Sequence, residues 1–156
     1  MRNGLAIGAL ALLAASCGDD DGGAGPAPGP DFTVVENVAG GFIGTAFTFT
    51  VQSDGTLELG APGTAPLRGR VGRSGVAALR GILGSDEFAS LESRYGTEED
   101  YCPDSFRYDI TVTLEGVERG IATHDCAEKP AVLETFLDEL YNLEKRICPG
   151  CPPGRF

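Results

Sequence analysis

The sequence predicts an α+β fold, an antiparallel sheet of four or five strands with helices covering one face. Three stretches carry that expectation. In residues 106–114, Phe106, Tyr108, Ile110, Val112 and Leu114 alternate with Arg107, Asp109, Thr111 and Thr113, the period-two pattern of a half-buried strand. Phe47, Phe49 and Val51 alternate in the same way with Thr48, Thr50 and Gln52. Near the C-terminus, Leu133, Phe136, Leu137, Leu140 and Ile147 instead follow the spacing of an amphipathic helix.

In chain order, residues 1–16 read as a secretory signal peptide, with a charge at Arg2, an apolar run from Leu5 and small residues at its end. That run is about a dozen residues, short of the roughly 20 a helix needs to cross a bilayer core. Leu13-Ala14-Ala15-Ser16-Cys17 resembles a bacterial lipobox, which implies cleavage before Cys17 and lipid on it. Several acyl chains would then hold the chain durably on a membrane. Gly18 stands where aspartate would resemble an inner-membrane retention signal, so the expected location is the outer membrane of a bacterial envelope. Residues 17–31 hold Asp19 to Asp21, glycines and prolines but no large apolar group, the composition of a flexible tether.

Residues 32–147 are expected to form the globular domain. Residues 32–38 read as a short strand, Gly40-Gly41 as a turn, residues 42–51 as a longer strand, and residues 56–59 as a third strand after the Ser53-Asp54-Gly55 turn. Residues 60–69, with Pro62 and Pro66, read as a loop. Ser74 is a candidate cap for a helix ending near Leu83, and Ser85 caps a second, short one that turns Phe88 and Leu91 inward. Glu115-Gly116 suits a two-residue hairpin loop. Folding about it sets Leu114 opposite Val117, Ile110 opposite Ile121, Arg107 opposite His124, and Ser105 opposite Cys126. Pro130 opens the last helix, and residues 148–156 form a tail containing Cys148-Pro-Gly-Cys151.

The chain has 156 residues and a formal net charge of −11. Such a surface repels nucleic acid, so no nucleic-acid partner is expected. With Cys17 assigned to lipid, Cys102, Cys126, Cys148 and Cys151 remain, an even set that favours disulfides in an exported protein. The hairpin register brings Cys102 and Cys126 to one open end, hence a Cys102–Cys126 pair worth about 3 kcal/mol in the chain-entropy picture. Cys148 then pairs with Cys151; a redox or zinc role for this motif is the alternative, but it follows a helix rather than opening one.

Little in the sequence points to catalysis. His124 is the only histidine and reads as a surface residue on the polar strand face. Gly72-Arg-Ser-Gly75 lacks the glycine spacing of a nucleophile elbow. Glu98, Glu99, Asp100, Asp104, Asp125 and Glu128 have no ordered calcium-loop register and read as a solvated acidic rim. No phosphate-cradling loop is present, and neither cofactor, metal nor enzymatic activity is expected. Among Phe42, Tyr95, Tyr101 and Tyr108, Tyr108 belongs to the inward strand face. Phe42, flanked by Gly40, Gly41 and Gly44, is with Gly41 the candidate partner contact.

The succession GGFIGTAFTFTVQSDGTLEL, DEFASLESRYG, DSFRYDITVTLEGVERGIATHD and AVLETFLDELYNL resembles the emfourin family of small bacterial inhibitors of protealysin. The likeness covers about residues 32–147. It implies a domain that binds a protein partner, a thermolysin-like metallopeptidase, and inhibits it without catalysis. A lipoprotein serving envelope structure or assembly, with no peptidase contact, is the alternative. The lipobox resemblance makes its own prediction: Cys17→Ser releases the protein from membranes, and a variant that still fractionates with them would rule out lipid on Cys17 as the anchor.

Overall fold

The computed structural model describes residues 29–42 and 44–150. The signal peptide, Cys17, nearly all of the tether, and Cys151 as partner of Cys148 lie outside the described residues. The elements are β1 (Phe32–Gly40), β2 (Thr45–Gln52), β3 (Thr56–Gly60), β4 (Leu67–Arg70), α1 (Arg73–Leu83), α2 (Asp86–Ala89), a single 3-10 turn at Glu98–Asp100, β5 (Phe106–Leu114), β6 (Val117–His124) and α3 (Ala131–Ile147). The strands form one antiparallel sheet in the order β4-β3-β2-β1-β5-β6. The α+β class is as expected, with six strands rather than four or five.

The additional strand is β4, in the stretch read from sequence as a loop. Its four residues, Leu-Arg-Gly-Arg, carry no alternation to reveal them. Pairing forms because Pro66 limits the loop and the Val71 N–H bonds the Gly55 carbonyl at 2.9 Å, returning the chain alongside β3. A second correction concerns residue 42: β2 begins at Thr45, and Phe42 lies in the preceding turn. A third concerns α1, whose cap position is Gly72 with no side-chain cap bond, so Ser74 lies inside the first turn. Here the backbone approaches closely, since a Cβ on Gly75 would collide with Val71. Ser85 does cap α2, its hydroxyl accepting the Phe88 N–H at 3.1 Å.

The β5–β6 hairpin has the register expected from sequence, with Leu114 opposite Val117, Ile110 opposite Ile121 and Arg107 opposite His124. Glu115 and Gly116 both have positive φ, 50° and 80°, as a type I′ turn requires. β1 sits between the two hairpin systems, paired along its length with β2 and β5.

Helices cover one face only. Val34, Val38, Phe49, Val51, Leu57, Tyr108, Ile110, Val112 and Ile121 are buried against Val76, Leu79 and Leu83 of α1, Phe88 of α2, and Leu133, Phe136, Leu140 and Leu143 of α3. Phe88 and Phe136 meet edge to face, centroids 5.0 Å apart. α3 starts just after β6 and reaches β4, where a Cβ on Gly69 would lie 3.2 Å from Ile147, so it crosses the sheet and ties its two edges together. The opposite face presents Thr33, Asn37, Thr48, Thr50, Thr111 and Thr113. Among the described residues no helix is long and apolar enough to cross a membrane.

Because Phe136 is wholly buried at the junction of sheet, α2 and α3, Phe136→Ala is expected to lower unfolding stability by about 3–5 kcal/mol in a urea titration. A loss below about 1 kcal/mol would show that the helix layer does not depend on this ring.

Candidate functional site

The direction of β1 divides the sheet into two ends. At its start, Phe32, the sheet is bounded by Asp31, the Gln52–Gly55 turn and the Glu115–Gly116 turn, and the described chain enters here. Pro30 is held at this end by Arg80, whose Nε donates to the Pro30 carbonyl at 3.1 Å while the guanidinium lies over the Phe32 ring. Asp54 sits here too, its carboxyl held below the ordinary aspartate value because it accepts the Thr56 N–H and hydroxyl.

The other end gathers the starts of β2, β4 and β5 with the ends of β1, β3 and β6. Phe42 stands there at 89% exposure, the most exposed large apolar side chain among the described residues. Its loop is built from glycine geometry. Gly41 and Gly44 have φ of 72° and 66°, and the Gly44 N–H closes the turn on the Gly41 carbonyl at 3.0 Å. Gly41 also packs on the Phe106 ring so closely that a Cβ there would lie 2.7 Å from it. The candidate contact pair therefore separates into two roles: Gly41 seats the loop and Phe42 projects from it.

The seat is fixed by the disulfide. Cys102 and Cys126 are bonded, their Cα atoms 6.0 Å apart, as the hairpin register led us to expect. Pro103 and Asp104, the latter at φ 62°, form a turn closed by the Ser105 N–H on the Cys102 carbonyl at 3.3 Å. The Ser105 carbonyl then accepts two bonds, from the Gly41 N–H at 3.1 Å and from the Tyr101 hydroxyl at 3.0 Å. Asp125 holds the adjoining strand start, accepting the Phe106 N–H at 2.7 Å and the Tyr108 hydroxyl at 2.6 Å. A continuous path of bonds thus runs from the disulfide to the Phe42 loop.

His124 is not the surface residue that its place on the polar strand face suggests; it is only 6% exposed. The segment after α2 folds back over it. Ser93 and Tyr95 bond both main-chain groups of Ala122 at 2.9 Å, Gly96 packs against the imidazole and against Ala127, and the Tyr101 ring lies 5.5 Å from the imidazole. Neither ring nitrogen has a hydrogen-bond partner among the described residues, and Ser105 Oγ is unbonded as well. No nucleophile–base hydrogen bond joins this serine and histidine. Of the residues read as an acidic rim, Glu98, Glu99, Asp100, Asp104 and Glu128 are exposed, whereas Asp125 is the half-buried structural acceptor just described. Asp100 closes a capping turn, and the Thr97 N–H and hydroxyl it accepts hold its carboxyl below the ordinary value. Among the described residues no group of three or more metal-ligating side chains converges.

Beside the Phe42 end, a groove of about 210 Å³ opens between the second half of α3 and the start of β4. Phe47, Leu59, Leu67, Tyr141 and Cys148 line it, and Leu67 remains 46% exposed. Sequence reading missed this feature because it missed β4. One signal was present: residues 61–85 contain Arg68, Arg70, Arg73 and Arg80 and no acid at all, in a chain of net charge −11.

No protein-family model matches this chain, and no curated protein sequence does. The site therefore rests on its own geometry. Replacing Cys102 and Cys126 together by serine is expected to cost about 3 kcal/mol of stability and to speed hydrogen exchange at the Gly41 amide. Exchange unchanged at Gly41 would show that the loop is seated without the bridge.

Proposed function

We propose that the chain is a lipid-anchored protein of the bacterial envelope, held through Cys17, whose domain binds a protein partner with the end of the sheet that carries Phe42. One observation carries the reading: the chain enters at one end of β1, and the exposed aromatic and apolar groove stand at the other. Nine residues of β1, at about 3.3 Å each, set the two ends about 30 Å apart. An anchor N-terminal to β1 thus leaves Phe42 at the end of the sheet remote from the point where the tether joins it.

A large exposed aromatic beside a glycine that is hydrogen-bonded and closely packed suits a partner interface. The resemblance of residues 32–147 to the emfourin family supplies the partner class, a secreted thermolysin-like metallopeptidase inhibited without chemistry by this domain. No cofactor and no catalytic residue enter this reading.

Titration of a thermolysin-like peptidase with residues 31–156, beside a serine peptidase control, tests it. Saturable inhibition of the metallopeptidase alone is expected, weakened about tenfold or more by Phe42→Ala, the loss of a central aromatic anchor. Full metallopeptidase activity at micromolar excess would reject the inhibitor reading and leave envelope structure or assembly as the role.

A further inference from the structure

We infer that the edge of β4 that pairs with no other described strand, and the adjoining groove, receive an extended acidic peptide segment, added to the sheet as a further strand. The inference rests on the reading that the domain binds proteins at the end of the sheet carrying Phe42, and it uses the groove and strand edge that adjoin that end.

The edge is available in a definite pattern. The Val71 N–H bonds the Gly55 carbonyl, and the pairing continues with Arg70 opposite Thr56, Gly69 opposite Leu57, Arg68 opposite Glu58 and Leu67 opposite Leu59. Antiparallel ladders alternate bonded with non-bonded pairs. Gly69 and Leu67 therefore direct their main-chain groups at β3, and those of Arg68 and Arg70 point outward. These outward groups are the donors and acceptors that strand addition uses.

Side chains on the two faces give the edge its selectivity. Leu67 and Gly69 face α3, where the groove lies, so an incoming strand places an apolar side chain beside Leu67. Arg68 and Arg70 lie on the opposite face. Arg68 Nε bonds Glu58 of β3 at 2.9 Å, and Arg70 donates to the Asp54 carbonyl at 3.0 Å, so both guanidiniums lean toward β3 and an incoming carboxylate must draw them from these exposed partners, contacts that are individually weak in water. No acid lies on β4 or within residues 61–85. A second copy of the chain would set Arg68 and Arg70 against their own counterparts, and like charges directly opposite are destabilising across strands. A segment with carboxylates on one face and apolar groups on the other fits both faces at once.

At the opposite edge of the sheet, the Ser93–Tyr95 segment already occupies Ala122 of β6. A short, charged edge is also a common defence against aggregation. Defence alone does not call for the apolar groove lined by Phe47, Leu59, Leu67 and Tyr141 that continues the inner face of β4.

The test is an NMR titration of the full chain, purified in detergent, with an acetylated and amidated peptide alternating glutamate with leucine. A lysine–leucine peptide of the same length is the control. Expected are shifts at Arg68–Arg70, Leu67 and Tyr141, new exchange protection at the Arg68 and Arg70 amides, and at least tenfold weaker binding of the lysine peptide. The double variant Arg68→Glu with Arg70→Glu should reverse the preference between the two peptides. Two further peptides carry N-methyl groups on alternate residues, one on each strand edge. Strand addition requires that one of them loses binding and the other keeps it. Equal binding of both methylated forms, equal binding of the glutamate and lysine peptides, or no shifts at β4 at millimolar peptide would each overturn the inference. The readout is independent of peptidase inhibition: peptide binding without inhibition rejects only the metallopeptidase as partner, and inhibition without peptide binding rejects only the edge.

Discussion

The pairing of β1 on both sides is the constraint on which this molecule depends. The strand contacts β2, its neighbour in sequence, and β5, more than 65 residues further along, with all nine of its residues in register with β5. Without it the chain would hold two separate antiparallel systems, β2–β3–β4 and β5–β6, neither with a broad enough apolar face to support three helices. The sheet buries one face continuously because Val34 and Val38 bridge Phe47 and Val51 on one side to Tyr108 and Val112 on the other. Such a long-range pairing costs loop-closure entropy before its contacts reward it. The helix layer supplies the compensating burial, and α3 supplies most of it by crossing from β6 to β4.

The Phe42 loop depends on β1 in turn. It leaves the strand at Gly40, which lies so close to the Ser105 carbonyl that any side chain there would collide with it. That carbonyl is held by the turn after Cys102, and Cys102 is tied to Cys126 just beyond β6. Each bond in the path is worth roughly 1 kcal/mol, less than the disulfide's constraint on the unfolded chain. Local order of the loop is therefore set more by the cross-link and by close backbone packing than by any single hydrogen bond. The result is an apolar side chain in water, next to glycines held by close packing and hydrogen bonds.

Much of this was legible in the sequence, for identifiable reasons. Alternation over residues 106–114 and the Glu115-Gly116 pair sufficed to set the β5–β6 register and, from it, the Cys102–Cys126 bond, because a one-residue slip would turn every apolar side chain outward. The stripe of α3 and the Ser85 cap were readable from local spacing alone. What was not readable depends on tertiary neighbours. β4 is four residues with no pattern and exists because β3 offers it an edge. His124 alternates outward and is buried only because residues 93–101 fold over it, although a bond from Cys102 to Cys126 already required the chain before Cys102 to pass near residue 124. Glu36 breaks the apolar alternation of β1 yet is wholly buried between Phe49 and Ile110 in register, a placement that β1's pairing imposes and composition argues against.

Charge and topology together give the molecule a second asymmetry beside the two ends of β1. Four of its twelve basic residues fall within residues 61–85, which contain no acid, so an acidic chain carries a basic, acid-free segment along β4 and α1. In water an exposed arginine gains little from a single partner, and clustering arginines raises their mutual repulsion. The arrangement is stable because Glu58 and the Asp54 carbonyl each engage one guanidinium from the neighbouring strand and turn, and the outward main-chain groups of β4 pair with no other strand among the described residues. The same two contacts draw both arginines toward β3 on the solvent face of the sheet. An extended acidic segment arriving there would meet main-chain donors and an apolar groove already in position, and would have only to draw the two arginines from weak, exposed partners, so little of its binding energy would go to reorganising the domain.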